Sequence, residues 1–215
     1  MLGADLREKF TKPLFKIGEF IAKSGIPPNY FTIFGLVLAG VAAYFISIHD
    51  FILGFVFIIV ASAWDAIDGS VARAQKKATK FGNYLDALID KYVEIIFYLG
   101  FALGGFAIEA FLVITGSLVL SYAKPRTAIC VPIDNHDWPA IGERADRLLF
   151  LIAAMLLGIF LPELTIMGYT FSTISALLFI LAAVVYIGSV QRMLYAKKII
   201  DAGGTANMNL KHRRK

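Results

Sequence analysis

The sequence predicts an all-α integral membrane protein with six transmembrane helices behind an N-terminal interfacial helix, and three observations carry that prediction. Hydrophobic residues make up 58% of the 215-residue chain and the mean hydropathy is +0.70, too apolar for a soluble domain of this length. Apolar runs recur at the length a bilayer requires, roughly 20 residues per helix. Lys and Arg fall in alternate connections only, the pattern of loops retained on the cytoplasmic side.

Residues 1–24 are expected to form the interfacial helix. Leu6, Phe10, Leu14, Ile17 and Ile21 recur at helical steps and define one apolar face, with a bend near Pro13. Asp5, Glu8 and Glu19, and the lack of a compact apolar stretch, argue against a targeting segment. The spans then read as Tyr30 to Ile48, Phe51 to Trp64 continued through its carboxylates, Ile95 to Ile108, Ala110 to Ala123, Leu148 to Leu161 and Leu164 to Gln191. They make up one transmembrane domain over residues 25–201, followed by a basic flexible tail over 202–215.

The cationic stretches Arg7 to Lys23, Arg73 to Lys80, Lys124 to Arg147 and Arg192 to Lys215 alternate with connections near His49, Glu109 and Glu163 that hold no Lys or Arg. The prediction is a multi-pass protein of the cell membrane with both termini in the cytoplasm. Its net charge of +5 suits anionic lipid and anionic substrates, so the KHRRK ending needs no nucleic-acid partner. Cys130 is the single cysteine and is given no role. Gly100 and Gly104 stand at GxxxG spacing, which serves helix packing within the chain or a dimer.

The second and third spans reach membrane thickness only by including Asp65, Asp68, Asp86, Asp90, Lys91 and Glu94. Asp65 lies 14 residues past Phe51, or about 21 Å at the helical rise, in the cytoplasmic third of the bilayer. Asp65, Asp68, Gly69, Ala72 and Arg73 share one helical stripe, and Gly82, Asp86 and Asp90 share another. Four carboxylates on facing stripes call for compensation. Arg73 and Lys91 offset two, and oxygen-seeking divalent cations are the more natural neutralising partner. On the residues alone, structural ion pairs, an ion pathway and a metal site all remain open.

The run D-x2-D-G-x2-A-R-x8-G-x3-D-x3-D, at Asp65, Asp68, Gly69, Ala72, Arg73, Gly82, Asp86 and Asp90, resembles the signature of the CDP-alcohol phosphotransferases. Eight fixed positions within 26 residues make the match specific. PPNYFT, Pro27 to Thr32, is similar to that family's Pro-Asn-x-x-Thr segment, and six spans is the family's architecture. The resemblance implies metal-dependent transfer of a phosphatidyl-type group from a CDP-linked lipid to an alcohol, with release of CMP. By motif position it implies that Asp65, Asp68 and Asp86 bind one Mg²⁺ or Mn²⁺ and that Asp65, Asp86 and Asp90 bind a second. It implies that Asp90 is also the general base. Asn29, Tyr30, Phe31, Thr32, Gly69, Ala72, Arg73, Thr79 and Gly82 would meet the nucleotide and its diphosphate; for Thr79 a helix N-cap is an equal alternative.

Lys124, Arg126, Arg144, Arg147 and Arg192 lie near the cytoplasmic ends of later spans and suit an anionic acceptor, although anchoring alone also explains such residues. SYAKPR, GERADR and SVQR resemble the branch that couples inositol phosphate, with glycerol 3-phosphate the second acceptor to consider. Pro125 departs from that branch and predicts that the fourth helix kinks or ends there. Asp134, His136 and Asp137 are assigned to loop chemistry rather than to a second metal site. A homodimer is implied by the resemblance. A cation transporter and an intramembrane prenyltransferase are the other classes that use helix-borne acids.

Overall fold

The computed structural model describes residues 17–75, 79–134, 138, 140–166 and 169–205. Most of them are helical. In chain order the elements are α1 (Pro28–Ser47), α2 (Phe51–Ala74), α3 (Lys80–Leu103), α4 (Ala107–Cys130), α5 (Arg144–Phe160), a hairpin of β1 (Glu163–Ile166) and β2 (Tyr169–Ser172), and α6 (Thr173–Ala202). Two compact units, Met1–Gly105 and Phe106–Lys215, divide the chain.

By length and composition, α1, α2, α4 and α6 can cross a membrane. The expected third and fifth spans exist as helices but fall short of that measure. Four ionisable residues, Asp86, Asp90, Lys91 and Glu94, interrupt the middle of α3, and α5 has only 17 residues, opening on Arg144, Asp146 and Arg147. Of the interfacial helix, residues 17–22 are described and are helical, with Ile17 exposed and Gly18 buried. Residues 1–16 and the tail from 206 onward lie outside the described residues.

In the first unit α2 and α3 both pack along α1. The α1–α3 contact is set by Gly100, where a Cβ would stand 2.6 Å from Ala43 Cα. Gly104 meets the Ile46 carbonyl, so the GxxxG pair packs onto α1 within the chain. Gly104 O also lies 2.7 Å from His49 Nε2, in the tight α1–α2 turn where His49 takes a φ of 62°. Residues 17–26 are fastened to the far end of α2. Gly18 lies where a side chain would strike Ser70 Cβ, and Gln75 Nε2 donates to the carbonyls of Ala22 (3.1 Å) and Ile26 (3.0 Å).

In the second unit α6 is the spine, with α4 and α5 packed along it. Gly116 accepts Val185, Gly158 accepts Ile174, and Gly188 accepts the backbone at Ile141.

Three boundaries differ from the sequence reading. The run from Ile95 to Ile108 is broken at Gly104 and Gly105, whose φ of 94° suits glycine, so α3 stops at Leu103. Residues 164–166 and 169–172 lie in the two paired strands, with Leu164 opposite Phe171 and Thr165 opposite Thr170, and α6 starts only at Thr173. Pro125 does not end α4, which runs on to Cys130, where Cys130 Sγ approaches the Arg126 carbonyl. A proline removes one donor from the ladder, and the rest of the turn is retained.

Candidate metal and phosphate site

The local sequence sets the carboxylates before any tertiary contact does. Asp65 follows Trp64 on α2, and Asp86 and Asp90 are one turn apart on α3. Because α1 receives both helices, their side chains face each other. Carboxylate oxygens of Asp65, Asp86 and Asp90 all lie within 4.8 Å of one another, and all three residues are partly buried. Asp68 and Ala72 lie on helical backbone, and their side chains are outside the described set.

Three convergent carboxylates form a hard, oxygen-only donor set. Left uncompensated they would repel strongly in a medium poorer in water than bulk, and Mg²⁺ or Mn²⁺ matches both their charge and their chemistry. Lys91, one candidate for neutralising them, lies 3.3 Å from Glu94 Oε2 one turn further along α3. Arg73 is exposed and donates from Nη2 to Ser70 Oγ (3.2 Å), with its guanidinium lying over Gly69. A Cβ there would come within 3.4 Å of Arg73 Nη1.

The Pro27 to Thr32 segment is drawn to the same region. Pro28 opens α1, and the Trp64 indole donates to the Phe31 carbonyl at 2.9 Å, with the two rings 6.0 Å apart and Phe34 on the indole's other contact at 5.2 Å. Trp64 thus anchors the start of α1 to the residue preceding Asp65. Tyr30 is exposed, and Thr32 Oγ1 lies 3.5 Å from the Pro28 carbonyl. Thr79 is the N-cap of α3, its hydroxyl accepting from Gly82 N at 2.9 Å. A Cβ on Gly82 would sit 3.2 Å from Thr79 Oγ1 and 3.9 Å from Asn29 Oδ1, so Asn29, Thr79 and Gly82 form one polar corner. Trp64 and Gln75 were not singled out from sequence; the one available signal was an aromatic residue directly before the first aspartate. Trp64→Phe removes a single buried donor while keeping the ring. It is expected to cost about 1 kcal/mol of stability, read as a lowered thermal midpoint of the purified protein.

In the second unit Lys124, Arg147 and Arg192 meet the loop that leads into α5, and Arg144 follows it. Arg192 is buried on α6; its Nη1 donates to Leu120 O (3.2 Å), and its Nη2 donates to Trp138 O (3.2 Å) and to the Glu143 carboxylate. Arg147, 2% exposed, donates from Nη1 to Gly142 O at 2.7 Å. Lys124 Nζ lies 6.0 Å from the centre of the Trp138 ring, which meets Tyr195 edge-on. Arg144 is the first residue of α5, next to Glu143. Arg126 is exposed near the end of α4. The loop is held at its other end by Thr205, whose N donates to Pro132 O and whose hydroxyl accepts from Asp134 N. His136 and Asp137 lie outside the described residues.

A family model described as CDP-alcohol phosphatidyltransferase matches residues 26–190. An archaetidylinositol phosphate synthase of Pyrococcus horikoshii is 31% identical over 202 residues, covering 92% of this chain and 98% of that one. A phosphatidylinositol phosphate synthase of Streptomyces avermitilis is 31% identical over 172 residues, 74% of this chain and 68% of that one. In fold, the chain is similar to crystal structures of Mycobacterium tuberculosis phosphatidylinositol phosphate synthase at 21% identity. One has CDP-DAG bound (TM-score 0.71, covering 85% of this chain and 92% of that one), and another is a complex with manganese and citrate (TM-score 0.70, 86% and 88%).

Proposed function

From the premise that this chain belongs to the CDP-alcohol phosphatidyltransferase family, and so is an enzyme of that transferase class, we propose that it transfers a phosphatidyl-type group from CDP-diacylglycerol or CDP-archaeol to inositol phosphate, releasing CMP. The observation that carries this reading is the Asp65, Asp86 and Asp90 cluster, formed by the motif positions at which the family's signature was read.

Asp65, Asp68 and Asp86 hold one divalent cation, and Asp65, Asp86 and Asp90 hold a second. Bound there, such cations supply charge neutralisation for the donor's diphosphate and for the departing CMP. Asn29, Tyr30, Phe31, Thr32, Thr79 and Gly82 enclose the nucleotide, which the polar corner at Gly82 supports. Gly69 and Ala72 leave room for it, and Arg73 meets the diphosphate. Asp90 takes the proton from the acceptor hydroxyl, which then attacks the lipid-side phosphorus; the P–O bond to CMP breaks and CMP leaves with that bond's electron pair.

Lys124, Arg126, Arg144, Arg147 and Arg192 receive the acceptor's phosphate. Support comes from the contacts of Lys124, Arg147 and Arg192 with one loop, from Arg144 following it, and from the relatives' names. The six helices form a multi-pass membrane enzyme with both termini and the site on the cytoplasmic side, working as a homodimer. In an assay with CDP-lipid, Mg²⁺ and a panel of acceptors, CMP is expected with inositol phosphate and little with serine or ethanolamine. Equal turnover with these two alcohols, which carry no phosphate, sinks the anionic-acceptor reading, and faster turnover with glycerol 3-phosphate reassigns the acceptor.

A further inference from the structure

We infer that Glu143 occupies the acceptor-phosphate position on Arg192 and is displaced by the substrate, making it a specificity-determining residue that favours phosphorylated acceptors. The inference rests on the acceptor reading above and goes beyond it, because Glu143 carries charge opposite to that expected of a phosphate site.

The pairing is asymmetric. The Arg192 side chain is 9% exposed and that of Glu143 is 53% exposed. The guanidinium is fixed from behind by the carbonyls of Leu120 on α4 and Trp138 in the loop, backbone atoms that cannot leave without unwinding the helix or unfolding the loop. Its Nε is buried and has no hydrogen-bond partner among the described residues. The buried cation therefore has one movable anionic partner and one unused donor. A carboxylate that swings away regains water, whereas an arginine left behind without an anion is strongly disfavoured. Only a competing anion releases Glu143.

A phosphate monoester carries about −1.5 to −2 charges at neutral pH against one on the carboxylate, and it offers oxygens to both Nη2 and Nε. A neutral polyol offers no such replacement. Lys124 over Trp138, and Arg144 beside Glu143, add positive charge to the same loop.

Glu143 is also the N-cap of α5, in a capping box with Asp146, whose Oδ2 accepts from Glu143 N at 3.1 Å. A purely structural ion pair and a displaceable one thus predict opposite signs. Glu143→Gln keeps an oxygen for the cap and removes the charge. In the full-length enzyme with CDP-lipid and Mg²⁺ it is expected to lower the KM for inositol phosphate about fivefold, the scale of a partly exposed ion pair, with kcat within twofold. The inhibition constant of inorganic phosphate falls in parallel. Asp146→Asn, which weakens the cap alone, leaves both constants unchanged. If the glutamine variant fails to fold, Glu143→Ser, a favoured N-cap, replaces it.

A raised or unchanged KM and phosphate constant in E143Q overturns the inference, as does an equal shift in D146N. Failure of the underlying reading looks different. Arg192→Lys would then leave the acceptor KM unaltered, and a lowered phosphate constant in E143Q would still support displacement.

Discussion

Replacing Asp90 with asparagine is expected to reduce CMP release about 10³-fold or more while leaving the protein folded. The amide has nearly the shape of the carboxylate, so the helix is undisturbed, but it carries no charge for a cation and cannot accept the acceptor's proton. Asp90 shares its oxygen cluster with Asp65 and Asp86, within 4.8 Å. Asp65→Asn and Asp86→Asn should therefore fall to a comparable level, and any pair of these changes should cost scarcely more than one, since the three act as a unit. Thermal unfolding followed against Mn²⁺ separates the two roles proposed for Asp90. A ligand role predicts that the variant loses most of the metal-induced rise in midpoint. An unaltered rise with activity still abolished leaves proton removal as the main role. Near-wild-type turnover would remove Asp90 from the mechanism.

Gly188→Ala is the change expected to damage the fold most. A Cβ there would lie 2.0 Å from the Ile141 carbonyl oxygen and 3.6 Å from Leu120. The obstruction is backbone, in a loop already tied down by Gln191 Oε1 accepting from Ile141 N and by Arg192 on Trp138. The loop cannot move aside without releasing Arg192. The expected cost is about 3 kcal/mol, at the upper end for overpacking, read as a lower thermal midpoint together with a weakened response to the acceptor. A variant as stable as the parent would mean that α6 and the loop approach each other less closely than described.

The helices were legible because membrane length and helical period are written into composition, and the aspartates because a one-turn spacing on each of two helices survives in a string of letters. What was not legible depends on distance in the chain. Trp64 finds the Phe31 carbonyl 33 residues away and Arg192 finds the Trp138 carbonyl across 54. A backbone acceptor has no letter of its own, so neither pairing leaves a trace in the sequence. The hairpin was read as helix because hydropathy alone does not distinguish a buried span from a short sheet. Its Thr165, Tyr169, Thr170 and Phe171 were the available correction. Arg147 and Arg192 were legible as cations near the cytoplasmic ends of spans, but not their burial against the carbonyls of Gly142 and Trp138.

The glycine contact of the first unit has a consequence for how it responds to its solvent. At Gly100 on Ala43, where α3 meets α1, main chain meets main chain with no side chain between. Lipid tails are as apolar as leucine, so no expulsion of water presses such helices together, and short-range attraction must do so. That attraction vanishes within about an ångström of separation. Each such pair therefore behaves as a stiff rod pair in a fluid, either seated or apart, with no graded loosening between. Slow hydrogen exchange that is lost in a single cooperative step along α1 and α3 together is the expected signature.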